Sequence, residues 1–483
     1  MLNRILLLVI ISSFLTINAL AQTNDERVED ATNQAQQNDS IVKKDKVKSG
    51  FNFGALPAVS FDSDLGFQYG LIGNLFNYGD GSYYPDYKWS LYGEWSRTTK
   101  GSGTNQLFFD SKYLLPYGLR ITADLSFLTE KALDFYGFNG FEAAYHPEFE
   151  EDEGDDTAKY ISRMYYRHER KITRVSLDFQ GALSGKKLRW LAGFGRFDNK
   201  IATVDIEQLN KGLDDDKKLP PVETLYDKYV NYGFIGEEEK DGGAINSLKL
   251  GIVYDTRDNE PNPNTGFWIE AIAMTAPSFL GNSESAYTKL ALIYRHYIPV
   301  VKDKLTFAYR LGWQGTVDGE TPFYMQPYMI TTNTKITKSD GLGGAKSLRG
   351  VLRNRVVGDA FTYANLELRY KFLKFNQWNQ NFYVALSGFG DFGTITKRIE
   401  IDRSLVPDFD PVVVDENGTI NLSAGSDLYS DFFDMEEDKL HSAYGLGLHV
   451  AMNENFILAL DYGLAGNKKD GNSGMYISIG FLF

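Results

Sequence analysis

The chain of 483 residues contains no cysteine and only five histidines. Disulfide bridges, thiolate metal sites and a lipid-modified cysteine are therefore excluded. The histidines lie in separate segments without the paired spacing of a metal site, so no metal site is expected. The sequence also lacks a phosphate-binding loop, a dinucleotide fingerprint and a Gly-x-Ser-x-Gly elbow. We therefore expect no enzyme activity and no cofactor.

Long apolar runs are also rare. Residues 1–21 have the pattern of a secretory signal, with Arg4, an apolar run and the small-x-small site Ala19-Leu20-Ala21. Beyond this segment no run of about 18 apolar residues occurs, so no membrane-spanning helix is predicted. Residues 22–49 are polar and predict a short tail that is disordered or weakly helical. The net charge of −14 argues against nucleic acid as a partner.

What the sequence does contain is 30 Tyr, 33 Phe and 46 Gly, in many short segments of alternating polarity. This mixture predicts an all-β fold over residues 50–483, a transmembrane antiparallel β-barrel. We count sixteen candidate strands, with twelve or fourteen as alternatives. Tight turns alternate with long connections, as in barrels whose long loops lie on one side of the membrane. A large secreted β-sandwich or propeller is the competing interpretation.

The strand phases favour the barrel. In the segments 248–254 and 305–313 the large apolar residues share one phase, whereas small or polar residues share the other. A wide barrel turns its apolar phase to lipid and keeps a polar lumen.

A glycine-rich loop carries the candidate functional residues Gly344, Ser347, Leu348, Arg349 and Gly350. The two strands after it place carboxylates on their polar phase, and Glu367 and Asp391 are thus two candidate partners for Arg349. The lumen of a barrel of about sixteen strands would be an open aqueous channel unless something fills it. A guanidinium can grip a carboxylate through two parallel hydrogen bonds. We therefore predict a loop that is latched inside the lumen.

The ends of the barrel supply further candidates. In the last strand Met475, Ile477, Ile479, Phe481 and Phe483 are predicted to share one lipid-facing side. Its aromatic end resembles the signal by which outer-membrane proteins are recognised for insertion. Pro57, Tyr476, Phe481 and Phe483 are the candidate residues of the seam between the first and last strands. Pro57 either weakens this seam or merely marks the entry of the first strand.

Three motifs resemble the BamA/TamA superfamily, whose barrel is also called the bacterial surface antigen domain. They are Tyr254-Asp255-Thr256-Arg257-Asp258-Asn259 with the following Asn262–Gly266 turn, the loop tip Gly344–Gly350, and Phe389-Gly390-Asp391-Phe392-Gly393. The resemblance implies that the loop between strands eleven and twelve folds into the lumen. It further implies that Arg349 pairs with Asp391, with Glu367 nearby. Leu348 and Val351 depart from the Val-Arg-Gly-Phe/Tyr signature of the family.

The resemblance also implies a function. Such barrels insert or secrete proteins at the outer membrane of a Gram-negative-type bacterium, with both termini periplasmic and a seam that serves as a lateral gate. The expected partners are outer-membrane lipid, lipopolysaccharide and other outer-membrane or periplasmic assembly proteins. Residues 22–49 are too short for a polypeptide-transport-associated domain, so we expect a barrel-only member. A plugged passive pore and a structural protein that acts through its surface loops are the alternatives.

Overall fold

The computed structural model describes residues 47–58, 60–62, 66–151, 160–185, 187–282, 285–332, 340–406, 413–414, 420–421, 427–434 and 436–483. The predicted signal segment and nearly all of the predicted tail lie outside these residues.

The described chain forms a β-barrel of sixteen antiparallel strands, which confirms the predicted fold class and strand number. Each strand pairs with its neighbours in chain order, and the first strand consists of two segments that pair with the same partner. The strands are β1 (Phe51–Pro57 and Ser60–Asp62), β2 (Gly66–Asn77), β3 (Trp89–Thr98), β4 (Gly103–Ser111), β5 (Arg120–Asp134), β6 (Arg167–Ser184), β7 (Leu188–Ala202), β8 (Gly242–Asp255), β9 (Gly266–Ala276), β10 (Tyr287–Val301), β11 (Leu305–Gly319), β12 (Ala360–Gln377), β13 (Gln380–Lys397), β14 (His441–Met452), β15 (Phe456–Ala465) and β16 (Ser473–Ile479).

The helices are short and lie in the connections. They are α1 (Ile206–Asn210), α2 (Leu225–Asn231) and α3 (Asp427–Phe432), together with several single 3-10 turns. A two-stranded ribbon, Val413–Val414 with Ile420–Asn421, lies in the β13–β14 connection. Across the described residues, no helix has the length and apolar character needed to cross a membrane.

The two ends of the barrel differ. At one end, which we call the terminal end, β1 begins and β16 finishes, and the connections are mostly tight. The β12–β13 hairpin, for example, turns through Trp378 and Asn379, both with positive φ, the geometry that matches the twist of paired strands. The opposite end, the loop end, carries the long connections 135–166, 203–241, 320–359 and 398–440. The predicted alternation of tight and long connections is therefore correct.

The faces of the strands are those that the sequence pattern predicts. Leu250, Ile252 and Leu311 are exposed on the outer surface, whereas their neighbours Lys249 and Arg310 are buried inside. The outer surface is thus apolar, and polar side chains are concentrated inside the barrel.

Aromatic side chains from four loops form a cap over the loop end. The cap includes Phe135, Tyr136, Phe138, Phe149, Tyr165, Tyr166, Tyr226, Tyr229, Tyr324, Tyr328, Phe432 and Phe433, all of which are buried in one cluster. Helix α2 places two of its tyrosines, and it begins at a capping box in which Thr224 and Asp227 bond reciprocally to each other's main-chain N–H. The long loops therefore have a packed core of their own.

The prediction for the last residues is wrong. Met475 and Ile477 face outward, but Phe481 and Phe483 are buried inside the barrel. The strand ends at Ile479, and Gly480 follows with a φ of 88°, which turns the chain away from the ladder. The two rings then lie beside the guanidinium of Arg369, at 4.0 and 5.0 Å. Alternation fails here because the segment is no longer a strand.

Candidate functional site

The candidate site is the tip of the β11–β12 loop, which folds into the lumen. The tip contains a 3-10 turn, Gly344–Lys346, and Gly344 has a φ of 72° that favours glycine. Ser347 is buried, and its hydroxyl accepts a hydrogen bond from the main-chain N–H of Gly343 at 2.7 Å. Leu348 is fully buried in a small apolar cluster with Leu342 and Phe361. These contacts fix the backbone on both sides of the tip.

Arg349 lies among three carboxylates of the lumen wall, and its side chain is 1% exposed. Its Nε and Nη2 donate to Asp391 Oδ2 and Oδ1 at 2.9 and 3.1 Å. The main-chain N–H of Arg349 donates to the same carboxylate at 3.0 Å. Nη1 donates to Glu367 Oε1 at 2.7 Å and to Asp461 Oδ2 at 3.4 Å. We call this arrangement the arginine clamp.

The surroundings of Arg349 stabilise the charge of its guanidinium. Burial alone would lower the pKa of Arg349, but Asp391 and Glu367 outweigh it and raise the pKa above its ordinary value. The guanidinium also lies 3.5 Å from the ring centre of Phe389, as a cation–π contact. Since the carboxylates of Asp391 and Glu367 are fully buried and paired with Arg349, the clamp acts as a structural lock.

A second group of polar residues orients the clamp. Asn365 donates to Asp391 Oδ1 at 2.8 Å and to the main-chain oxygen of Ser347 at 2.7 Å. Arg310 donates to the side-chain oxygen of Asn365 at 2.8 Å and to the main-chain oxygen of Lys346 at 3.2 Å. The alternation of strand residues predicted that these side chains face the lumen, but it gave them no partner.

Glu367 connects the clamp to the terminal end. Besides Arg349, it accepts a hydrogen bond from Arg369 Nε at 2.6 Å. Arg369 Nη2 in turn donates to the main-chain oxygen of Phe483 at 3.0 Å. A continuous polar path therefore joins the loop tip to the inward-turned end of the chain.

Close backbone contacts seat the tip against the last strands. Gly350 has a φ of 113°, and its main chain lies against that of Gly463 in β15 so tightly that a Cβ on either glycine would collide. The N–H of Gly350 donates to the hydroxyl of Tyr476 in β16 at 2.9 Å. Gly393 in β13 has no side chain, and this leaves space for the side chain of Leu348. Glycine in these strands thus allows the loop to lie directly on the wall.

The structure therefore brings most of the predicted residues to one place. Gly344, Ser347, Leu348, Arg349, Gly350, Glu367, Phe389, Asp391, Gly393 and Tyr476 all belong to the tip or to the wall around it. Pro57 lies apart from them, with its side chain exposed at the end of the first segment of β1. Sequence reasoning missed Asn365, Arg310, Arg369 and Asp461 as partners. Among the described residues no group of three or more His, Asp or Glu side chains is arranged to hold a metal ion.

The fold and the clamp together define an outer-membrane type of β-barrel whose lumen is filled by one of its own loops. The Omp85 superfamily domain matches residues 90–483, and the chain belongs to that superfamily.

Two solved structures are among those that match part of the chain. BamA from Haemophilus ducreyi lacking POTRA domains 1–3 is 17% identical with a TM-score of 0.46, and the alignment covers 90% of this chain and 69% of that one. CdiB from Escherichia coli is 11% identical with a TM-score of 0.49, over 89% of this chain and 62% of that one. No curated protein matches the chain.

Proposed function

We propose that the protein acts in the insertion or secretion of proteins at the bacterial outer membrane, with the clamped loop as a movable plug. Membership of the Omp85 superfamily supports this role. In this proposal residues 1–21 direct export, residues 22–49 form a periplasmic tail, and residues 50–483 are the barrel. The terminal end faces the periplasm and the loop end faces outside.

The observation that carries the proposal is the nature of the clamp. The tip meets the wall through side-chain bonds of Arg310, Arg349, Asn365 and Tyr476 and through close glycine contacts, with no strand ladder joining it to the wall over the described residues. A ladder would have to be broken along its length, whereas the clamp is concentrated at one guanidinium. Such a plug can leave the lumen when a client chain enters and can return afterwards.

The main alternative is a plugged passive pore. The aromatic cap and the clamped tip both occupy the route through the barrel, and this argues against a permanently open channel. A plugged pore for a solute would share these features, so the depletion experiment decides between the two. The partners implied by the proposal are outer-membrane lipid, lipopolysaccharide and other assembly proteins of the outer membrane or periplasm.

Depletion of the protein tests the proposal. We expect the amount of one or more other outer-membrane or secreted proteins to fall, and we expect the wild-type protein but not Arg349→Ala to restore it. An unchanged outer-membrane and secreted proteome, together with steady ion conductance of the purified barrel in a lipid bilayer, would instead establish the pore.

A further inference from the structure

The connection between β8 and β9, residues 256–265, makes contacts far from the two strands that it joins. Glu260 accepts hydrogen bonds from Arg120 of β5 at 2.9 and 3.2 Å and pairs with Lys112 at 2.6 Å. On the other side, Asn262 donates to Glu454 in the β14–β15 turn. We call residues 256–265 the strap.

The topology requires the strap to cross the mouth of the barrel. Neighbouring strands are about 4.8 Å apart, and the β14–β15 turn is five strands from β9 around the wall. A ten-residue connection that bonds to β5 on one side and to this turn on the other cannot follow the rim to both. A third anchor, from Lys371 of β12 to Asn264 at 2.7 Å, lies between them. The strap therefore spans the terminal mouth.

The sequence of the strap makes it stiff. Pro261 and Pro263 fix two backbone dihedral angles. Asp258 Oδ1 accepts hydrogen bonds from the main-chain N–H groups of Asn264 and Thr265 at 2.9 and 3.2 Å. Asn259 does the same for Asn262 at 2.8 Å. Asn262 is 1% exposed, so the middle of the strap is covered by other chain and is not a free surface turn.

Two neighbouring segments complete the closure. In the β2–β3 connection Tyr78 and Pro85 accept hydrogen bonds from Asn455 at 2.8 and 2.6 Å. The inward-turned residues Phe481 and Phe483 line the same small cavity, of about 130 Å³, as Glu260 of the strap. This cavity lies directly inside the mouth.

From these contacts we infer that the strap is the gate of the terminal mouth. The step that opens the lumen on that side is the release of Glu260 from Arg120 and Lys112 and of Asn262 from Glu454. The inference goes beyond the proposed function, since a gate of this kind serves an inserting, a secreting or a conducting barrel equally. As the gate, the strap keeps the terminal end closed at rest, independently of the arginine clamp.

Thiol labelling tests the gate, because the chain has no cysteine of its own. Gln180 is buried, lines the cavity and pairs with Arg120 in the β5–β6 ladder, so Gln180→Cys places a thiol just inside the strap. Tyr117→Cys provides an exposed reference in the β4–β5 turn, where Tyr117 is 98% exposed. A charged maleimide is added to the purified folded barrel, and the ratio of the two labelling rates is measured.

In the barrel with an intact strap, we expect the thiol of Gln180→Cys to react far more slowly than the reference thiol. The ratio should rise about tenfold or more when Glu260→Gln and Asn262→Ala are combined, since local opening sets the rate. Glu260→Gln alone preserves the shape of the strap and should give an intermediate rise. Arg403→Gln, which breaks the pair with Glu142 among the loops of the other end, should leave the ratio unchanged.

Heat-modifiable migration on gels confirms that each variant is folded. Folded strap variants with an unchanged ratio would overturn the inference, as would fast labelling of the thiol of Gln180→Cys while the strap is intact. A rise with Arg403→Gln equal to that of the strap variants would also overturn it, because the reagent would then enter through the loop end. None of these measurements uses a client protein, so the result is separate from that of the depletion experiment.

Discussion

Replacement of Arg349 by alanine should release the loop tip from the lumen wall. The substitution removes the side-chain hydrogen bonds to Asp391, Glu367 and Asp461 and the contact with Phe389. Breaking a buried pair by removing one partner costs about 3 to 5 kcal/mol. Here Glu367 keeps Arg369, and Asp391 keeps Asn365 and the main-chain N–H at position 349. We therefore expect the lower limit, a loss of about 3 kcal/mol in the stability of the loop's docked state.

Arg349→Lys is the matched control, because it retains the positive charge. An ammonium cannot form the two parallel bonds to Asp391 and lacks the planar face that lies over Phe389, so a smaller loss of about 1 to 2 kcal/mol is expected. Limited proteolysis of the loop measures the opening directly, and the urea dependence of heat-modifiable migration measures the stability of the barrel. Equal protease resistance of Arg349→Ala and the parent would refute the argument that the clamp holds the loop.

The clamp, the terminal segment and the strap support one further prediction each. Tyr476→Phe removes the acceptor for the N–H of Gly350 and should increase proteolysis of the loop by less than Arg349→Ala does, with a cost of about 1 kcal/mol. Arg369→Ala should free the segment Phe481–Phe483, which added carboxypeptidase would then digest faster than in the parent. Burial alone would raise the pKa of Glu260, but Arg120, Lys112 and Arg257 hold it well below 4.5. The stability that Glu260 contributes is therefore present above about pH 4.5 and lost as the pH falls through the lower folded value, so the difference in unfolding free energy between the parent and Glu260→Gln should disappear only in strong acid.

The wall of the barrel could be predicted because the side to which each strand residue points depends only on its position along the strand. In β8 and β11 each side chain faces either lipid or lumen. The sequence shows which, because the apolar Leu250 and Leu311 alternate with the polar Lys249 and Arg310. The position of Arg349 between strands eleven and twelve follows from the same strand count. The pattern does not say which of several inward carboxylates an arginine will reach. Its grip on both Asp391 and Glu367 depends on the path of the loop through the lumen.

The partners of the clamp were harder to identify because they are set by contacts distant in sequence. Asp461 lies 112 residues from Arg349, and Tyr476 lies 126 residues from Gly350. Nothing in the local sequence of β15 or β16 marks either residue as a neighbour of the loop. Gly463 carries the only sequence hint, since a glycine in a strand interior often marks a close approach of another backbone, and here that backbone is the loop tip.

The last residues show where the alternation argument stops being valid. It assumes that each residue still belongs to a ladder, but Gly480 adopts a positive φ and the chain leaves the wall. Beyond that point Phe481 and Phe483 are placed by cation–π contacts with Arg369, a residue that also bonds to Glu367 of the clamp. Since Glu367 is shared between Arg349 and Arg369, release of the loop tip leaves Glu367 with one cation instead of two and strengthens its pairing with Arg369. Loss of the clamp should therefore tighten the hold on the terminal segment, so the two ends of the lumen would be coupled in opposite directions.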